Sequence, residues 1–137
     1  MPVTHISSFA GGTNFSTSHA ETGVDCGSGA NRVAYVLLGR LNQNSSLPLS
    51  CTVGADTLTA RGPGTFTDGS GRHWRLFSGA LTVTGTQTVT GTWDADFGFA
   101  VMAGVVLQVP NGADHVADLV SGSSGSTTQS LGIAAAA

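Results

Sequence analysis

The sequence predicts an all-β fold, an antiparallel β-sandwich of the jelly-roll-like or immunoglobulin-like kind, in a single domain with an extended C-terminal arm. Three observations carry this prediction. The 137-residue chain has 9% charged residues, 20 glycines and a single glutamate, which excludes a helical bundle. One segment places threonine at every second position, the period that marks a strand. Turn-forming residues recur about every 8–12 positions, the spacing typical of sandwiches and barrels.

The first predicted strands lie close to the N-terminus. Residues Val3 to Phe9 and Thr13 to Thr17 are expected to be opening edge strands. Arg32 to Arg40 is apolar on both faces, and its β-branched residues favour a strand over a helix. Leu49 to Val53 and Asp56 to Ala60 are separated by two residues, which predicts a hairpin.

The remaining strands of the sandwich follow a turn-rich stretch at residues 62–71. Arg72 to Phe77 is the next predicted strand. A threonine ladder runs from Leu81 to Trp93 with a break expected near Gly85, and it places the tryptophan on the apolar face. Phe97 to Val109 is again apolar on both faces. Because a sheet with one wet face should alternate, we expect a chain segment or a neighbouring subunit to cover the second face of the two apolar strands.

The sandwich domain is expected to span residues 1–110, and residues 111–137 form a C-terminal arm or tail. The arm contains one predicted short strand, His115 to Val120, then a Ser/Gly linker and a small apolar end from Leu131. Two interpretations stay open for this segment. It is either a disordered terminus or an arm that adds a strand to a neighbouring subunit.

Charge and cysteine content exclude several classes of function. The net charge is −3 with five arginines and no lysine, so there is no basic face for a nucleic acid. No apolar run approaches 18 residues, and the N-terminus has no signal-peptide pattern, so neither a membrane span nor export is expected. Thiols in a protein made in the cytosol are expected to be reduced. A single disulfide between Cys26 and Cys51 is the alternative.

The motifs that carry catalysis do not occur in the sequence. There is no nucleophile elbow, phosphate-binding loop or zinc-protease helix, so we expect neither an enzyme nor a cofactor. Asp94 and Asp96 are candidate calcium ligands from one loop, although the fuller calcium-loop pattern is missing. A hydrolase that uses His73 or Asp96 is the last-ranked alternative.

A carbohydrate-binding or adhesin-type module, for example on a phage tail or fibre, is the alternative function. Such a module needs exposed planar aromatic rings on which a sugar can lie. The candidates are Tyr35, Trp74 and Trp93, and each is in phase with apolar neighbours, which favours burial.

The order of the segments resembles a known family. A two-face apolar strand from Asn31 to Leu41 precedes the run Leu-Ser-Cys-Thr-Val-Gly-Ala-Asp-Thr-Leu-Thr-Ala, and His73-Trp74-Arg75 leads to the threonine ladder and the strand from Phe97. This pattern, over residues 3–109, is similar to the small β-sandwich proteins of tailed-bacteriophage virions, the capsid decoration or cement proteins. The resemblance implies a non-enzymatic protein made in the host cytoplasm, often a homotrimer, on the capsid exterior and bound to the major capsid protein.

Association with partners requires an interface, and the strands that are apolar on both faces supply its candidates. The predicted interface residues are Val36, Leu38, Met102, Val106, Leu131 and Ile133.

Overall fold

A computed structural model describes residues 2–41, 47–67, 72–95, 98–110, 118–120 and 132–134. It confirms the predicted sandwich of two antiparallel sheets. The strands are β1 Thr4–Asn14, β2 Ser18–Asp25, β3 Arg32–Arg40, β4 Pro48–Val53, β5 Asp56–Thr57, β6 Thr59–Thr67, β7 His73–Leu81, β8 Thr86–Trp93, β9 Phe99–Gln108, β10 Asp118–Val120 and β11 Gly132–Ala134. Within the described residues there is no helix of the length and apolarity that a membrane crossing requires.

The two sheets have the orders β1-β9-β3-β7-β6 and β2-β8-β4-β5. Strand β3 lies at the centre of the larger sheet, paired with β9 on one side and β7 on the other. The core between the sheets takes one residue in two from each strand, as a pleated strand requires. Its central members include Val36, Leu38, Phe77, Met102 and Val89, each no more than 1% exposed.

The turns follow the glycines that the sequence places between strands. Gly54, with a φ of 55°, begins the two-residue loop that joins β4 to β5, which confirms the predicted hairpin turn. The second predicted strand, Asp56 to Ala60, is divided at Leu58, since residues from Thr59 onward belong to β6 in the other sheet. Gly85, with a φ of 67°, lies just before β8. It marks the expected break in the threonine ladder, because residues 82–85 are not in a strand and the left-handed conformation of Gly85 turns the chain into β8. Leu81 therefore ends β7 in one sheet, and the rest of the ladder forms β8 in the other.

The backbone crosses between the sheets at both long edges of the sandwich. Strand β1 at one edge is followed by β2 in the opposite sheet after three residues. At the other edge, β5 passes to β6 through a single residue, Leu58, which is 4% exposed. Both edges are therefore joined by short, covalent connections.

Several strand boundaries differ from the prediction. Strand β1 is one continuous element, because its glycines pair without interruption against β9. The prediction missed β2 entirely. The Gly/Pro-rich stretch that was expected to be a turn lies largely in β6, which is held by pairing with β7 and has an irregular register between Arg61 and Phe66. Tertiary pairing here overrides the local turn residues.

The C-terminal residues that the structure describes form a two-stranded hairpin of β10 and β11. Strand β10 overlaps the strand predicted from His115, and it lies against β6, at the edge of the larger sheet. The division between residues 1–110 and 111–137 stays a prediction.

Candidate interaction surface

The outward surface of the larger sheet is formed almost entirely by apolar side chains. We call it the apolar face. Its residues on the three central strands alternate with the buried core positions, and none of these described residues carries a charge. They are Val33, Tyr35, Leu37, Gly39, Trp74, Leu76, Ser78, Ala80, Phe99, Val101, Ala103, Val105 and Leu107.

The outward surface of the smaller sheet has the opposite chemistry. We call it the threonine face, and it consists of Ser18, Ala20, Asp25, Ser50, Thr52, Thr57, Thr86, Thr88, Thr90 and Thr92. Its hydroxyls interact across strands, as in the 2.6 Å hydrogen bond between Ser50 Oγ and Thr92 Oγ1. This surface is suited to water, so the molecule presents one wettable and one apolar face.

Part of the apolar face is covered by the chain itself, and part is open. At one end the outward-facing Val33 and Ser78 are both 0% exposed. The Ser78 hydroxyl accepts a 2.8 Å hydrogen bond from Arg61 Nε. Toward the other end Leu37 is 36% and Phe99 is 39% exposed. The expected cover over the second face is therefore present at one end only, and the opposite end presents large apolar side chains to solvent.

The open end continues onto the tip of the β1–β2 connection. Phe15 is 74% exposed and has a φ of 48°, which a bulky residue rarely adopts. Its N–H donates a 3.0 Å hydrogen bond to the Gly98 carbonyl, next to Phe99. Leu41, 39% exposed, donates its N–H to the Phe99 carbonyl at 2.9 Å. Leu41 continues the outward phase of β3 and extends the apolar face beyond the end of the sheet, while Phe15 exposes a further apolar side chain at the neighbouring tip.

The Trp74 indole lies over Gly39 on the apolar face. A side chain at Gly39 would overlap its indole, so the glycine supplies the space in which the ring rests. The ring is half-buried, and the Tyr35 side chain on the same face is also half-buried. Trp93, in contrast, is 2% exposed in the core, which confirms its predicted apolar position and removes it as a sugar platform.

Two buried arginines fix the loops at the two ends of β3. Arg32 donates hydrogen bonds to the carbonyls of Cys26, Gly27 and Val83. Arg40, 0% exposed, donates to the carbonyls of Ser16, Ala95 and Gly98, and its guanidinium lies 5.5 Å from the Trp93 ring centroid. The strand pattern alone predicts these arginines only as strand ends. A charge at each end of an apolar strand is the signal that could have identified them as anchors.

A carboxylate fixes the turn that follows β7. Asp56 accepts hydrogen bonds from the N–H of Thr82 at 2.6 Å, its hydroxyl at 2.5 Å, and the N–H of Val83 at 3.0 Å. Burial alone would raise the pKa of this carboxyl. The hydrogen bonds and the charge of Arg32 outweigh that effect and hold the pKa of Asp56 below its ordinary value.

A second polar contact lies between the two sheets at the β1–β2 edge. His19 Nε2 is 2.5 Å from Glu21 Oε1, with both side chains half-buried. A Cβ at Gly11 would overlap the glutamate carboxylate, so the glycine of β1 makes room for this pair. The contact lies within β2, and its two side chains pack over Gly11 of β1.

The predicted interface residues lie on the wrong face of their strands. Val36, Leu38, Met102 and Val106 are 0–1% exposed in the core, where they contact the opposite sheet and no partner can reach them. The outward positions are the alternate residues, such as Leu37. Of the two predicted arm residues, Leu131 lies outside the described residues, and Ile133 lies in β11, opposite Leu119 in β10.

The structure also shows the surroundings of the candidate calcium ligand Asp94 and of the two cysteines. Asp94 Oδ1 accepts a 2.6 Å hydrogen bond from the N–H of Leu47, so this carboxylate closes a loop, while Asp96 lies outside the described residues. In the part of the chain that the structure describes, no three His, Cys, Asp or Glu side chains lie close enough to hold a metal. Cys26 and Cys51 are free and buried in the structure, and the alternative of a disulfide stays a prediction for a thiol measurement.

Burial also sets the chemistry of the two thiols. It raises the pKa of Cys51 to about 12. It also raises the pKa of Cys26, although Arg32 partly offsets the effect. Both cysteines therefore stay protonated near neutral pH and act as small apolar residues of the core.

Searches with this chain found no matching family model, no matching curated protein and no matching solved structure. Functional inference therefore rests on the two outer faces.

Proposed function

We propose that this chain is a non-enzymatic structural protein of a tailed-bacteriophage virion. In this proposal it decorates the capsid exterior, binds the lattice of the major capsid protein and stabilises the head. It acts by association with protein partners, itself included, and uses neither a cofactor nor nucleic acid. The support is the resemblance of its strand pattern to decoration proteins, together with the apolar face.

The contrast between the two outer faces carries the proposal. A monomer that remained alone would expose the apolar side chains of Leu37, Phe99, Leu41 and Phe15 to water. Large exposed apolar patches are typical of protein–protein contact sites. The threonine face offers no such surface, so it suits the side that remains in contact with solvent.

The test is binding to empty heads assembled from the major capsid protein of the same genome. We expect the purified chain to co-sediment with the heads, to saturate at a fixed number of copies per capsomer, and to raise their disassembly temperature. Leu37→Asp, on the apolar face, should weaken this binding at least about tenfold. Thr88→Asp, on the threonine face, is the matched control and should bind like the unaltered chain. Heads that bind no unaltered chain at any concentration contradict the proposal.

One observation favours the second candidate, a carbohydrate-binding module. The half-buried Trp74 indole lies over Gly39 on an outward surface, where an aromatic ring is available to stack on a sugar ring. Titration with oligosaccharides should then change tryptophan fluorescence, and Trp74→Ala should abolish the change. The buried Trp93 provides an internal reference, because its emission should not respond. An unchanged spectrum across a panel of glycans removes this candidate.

A further inference from the structure

The backbone of Phe15, at the turn between β1 and β2, has a conformation that does not suit the residue. Its φ is 48°, in the left-handed region where the Cβ of an L-residue crowds the following carbonyl oxygen. The other positive φ angles among the described residues belong to five glycines and to Asn31, which are the residue types that tolerate this region. Of the described left-handed positions, the turn after β1 is therefore the one at which a bulky side chain stands in place of a tolerant residue.

The fold gains little from the Phe15 side chain. The ring is 74% exposed, more than any other large apolar side chain that the structure describes. A ring that contacts so little of its own protein contributes little to the free energy of folding, so packing does not offset the unfavourable backbone. Backbone strain of this kind is typical of binding and catalytic sites. The exposed ring therefore points to a contact outside this chain.

The turn that carries the ring is held rigidly at three successive residues. The N–H of Phe15 is bonded to the β8–β9 loop. The carbonyl of Ser16 accepts a 3.1 Å hydrogen bond from Arg40 Nη2, and the carbonyl of Thr17 accepts one of 2.8 Å from the N–H of Trp93. The ring is therefore presented on a fixed backbone before any partner arrives, so that binding it orders little of the chain.

We infer that Phe15 is the anchor of the contact with the capsid lattice, and that its ring seats in a recessed apolar pocket of the major capsid protein. The inference rests on the proposed function, which supplies the partner. A ring exposed at the apex of a turn is buried fully only by a concave site that surrounds it. Asn14 and Thr17 flank the ring and are exposed, so the rim of that pocket should offer them hydrogen-bonding groups.

A protein pocket accounts for this tip better than a lipid bilayer does. One inserted ring buries little apolar area, and even a single myristoyl chain gives only marginal membrane binding. The net charge of −3 also opposes approach to the anionic lipids of a membrane. A pocket in a protein holds one ring at one angle, and this is the case in which a rigid turn lowers the cost of binding.

The experiment measures head binding and thermal stability on the same variants. Phe15→Asn removes the ring and places a residue that tolerates the left-handed region at the turn. Its melting temperature should equal that of the unaltered chain or exceed it by up to about 5 °C. Its affinity for empty heads, measured by co-sedimentation, should be about tenfold to a hundredfold lower, because the pocket loses the buried ring. A variant that binds less while melting no lower separates an anchor from a residue that only supports the fold.

Two further variants complete the series. Phe15→Leu keeps a large apolar side chain on the same backbone, so it should lose less affinity than the asparagine variant. Val3→Ala is the matched control, because Val3 is 56% exposed and precedes the opposite end of β1, about 35 Å away by the rise of the strand. It should bind heads like the unaltered chain. An equal loss at both positions would overturn the specific role of Phe15.

The remaining outcomes separate this inference from the proposed function. Heads that bind Phe15→Asn as tightly as the unaltered chain overturn the anchor and leave the decoration role intact, whereas heads that bind no unaltered chain overturn both. A Phe15→Asn variant that melts well below the unaltered chain also overturns the anchor, because the ring then serves the fold.

Two direct assays test the other occupants of the tip. The unaltered chain is sedimented with phosphatidylcholine vesicles, and its self-association is followed by analytical ultracentrifugation. Vesicle binding that Phe15→Asn abolishes would place the ring in lipid, and self-association that it abolishes would place the ring against a second copy. Either result overturns the pocket in the major capsid protein, and the absence of both supports it.

Discussion

Replacement of Arg40 by methionine should be among the most destabilising single changes in this chain. The methionine keeps the apolar part of the side chain but removes the guanidinium, which donates hydrogen bonds to three loop carbonyls. The hydrogen bond to Gly98 is buried, and the bonds to Ser16 and Ala95 are partly buried. Hydrogen bonds from a charged donor contribute about 1.5–3 kcal/mol when buried and less where water can replace them. About 2 kcal/mol for the first and about 1 kcal/mol for each of the others gives a loss of about 4 kcal/mol.

Urea unfolding followed by circular dichroism measures this loss directly. The free energy of unfolding falls with urea concentration with a slope near 2 kcal/mol/M. The urea concentration at the unfolding midpoint should therefore be about 2 M lower for the Arg40→Met variant. The control is Arg72→Met, which removes the same group from an exposed position and should change the free energy of unfolding by less than about 0.5 kcal/mol. Arg40→Lys keeps the charge without the planar fork and should fall between the two. A loss below about 1 kcal/mol for Arg40→Met would refute the argument that this arginine holds the end of the sandwich.

Three further predictions concern thiols, acid stability and the glycine under the indole. Neither Cys26 nor Cys51 should react with Ellman's reagent at pH 8 in the native protein, and both should react in urea without reductant; fewer than two reactive thiols there would indicate a disulfide. Asp56→Asn should reduce stability by about 1–2 kcal/mol at pH 7. Because the folded-state pKa of this carboxyl is lowered, its contribution is complete above the unfolded value of about 3.9 and disappears as pH falls through the folded value, so the two unfolding curves should converge in acid. Gly39→Ala should displace the Trp74 indole, red-shift the emission and cost about 1–3 kcal/mol; an unshifted spectrum would contradict the close contact.

The sequence was sufficient for the sandwich because two of its signals are local. The threonine ladder fixes which side of β8 faces water, and Gly85 interrupts the ladder just before β8, in a conformation that glycine tolerates best. The hairpin between β4 and β5 is equally local. Strand β6 could not be recognised in this way. Its Gly/Pro-rich residues have low intrinsic preference for a strand, and only pairing with β7 keeps them extended.

The choice of core face in β3 could not be read from the sequence, and the interface prediction was wrong for this reason. Both alternating sets of residues in β3 are apolar, so the period of two does not show which set faces the core. What decides is the opposite sheet. A Cβ at Gly91 in β8 would meet the end of the Leu38 side chain, so that leucine reaches far into the core, whereas Leu37 has no sheet above it. The contact between Leu38 and Gly91 joins residues that are far apart in the chain, and a single sequence carries no record of it.

The crossings at both long edges give the sandwich a mechanical property. A lateral pull on one sheet reaches the other through the backbone, at the three-residue turn after β1 and at Leu58 between β5 and β6. The sheets therefore cannot slide far past one another unless a strand is first peeled from its neighbour. Peeling breaks ladder hydrogen bonds one at a time, while shear must break many at once. The direction in which force is applied should therefore determine how much the domain withstands.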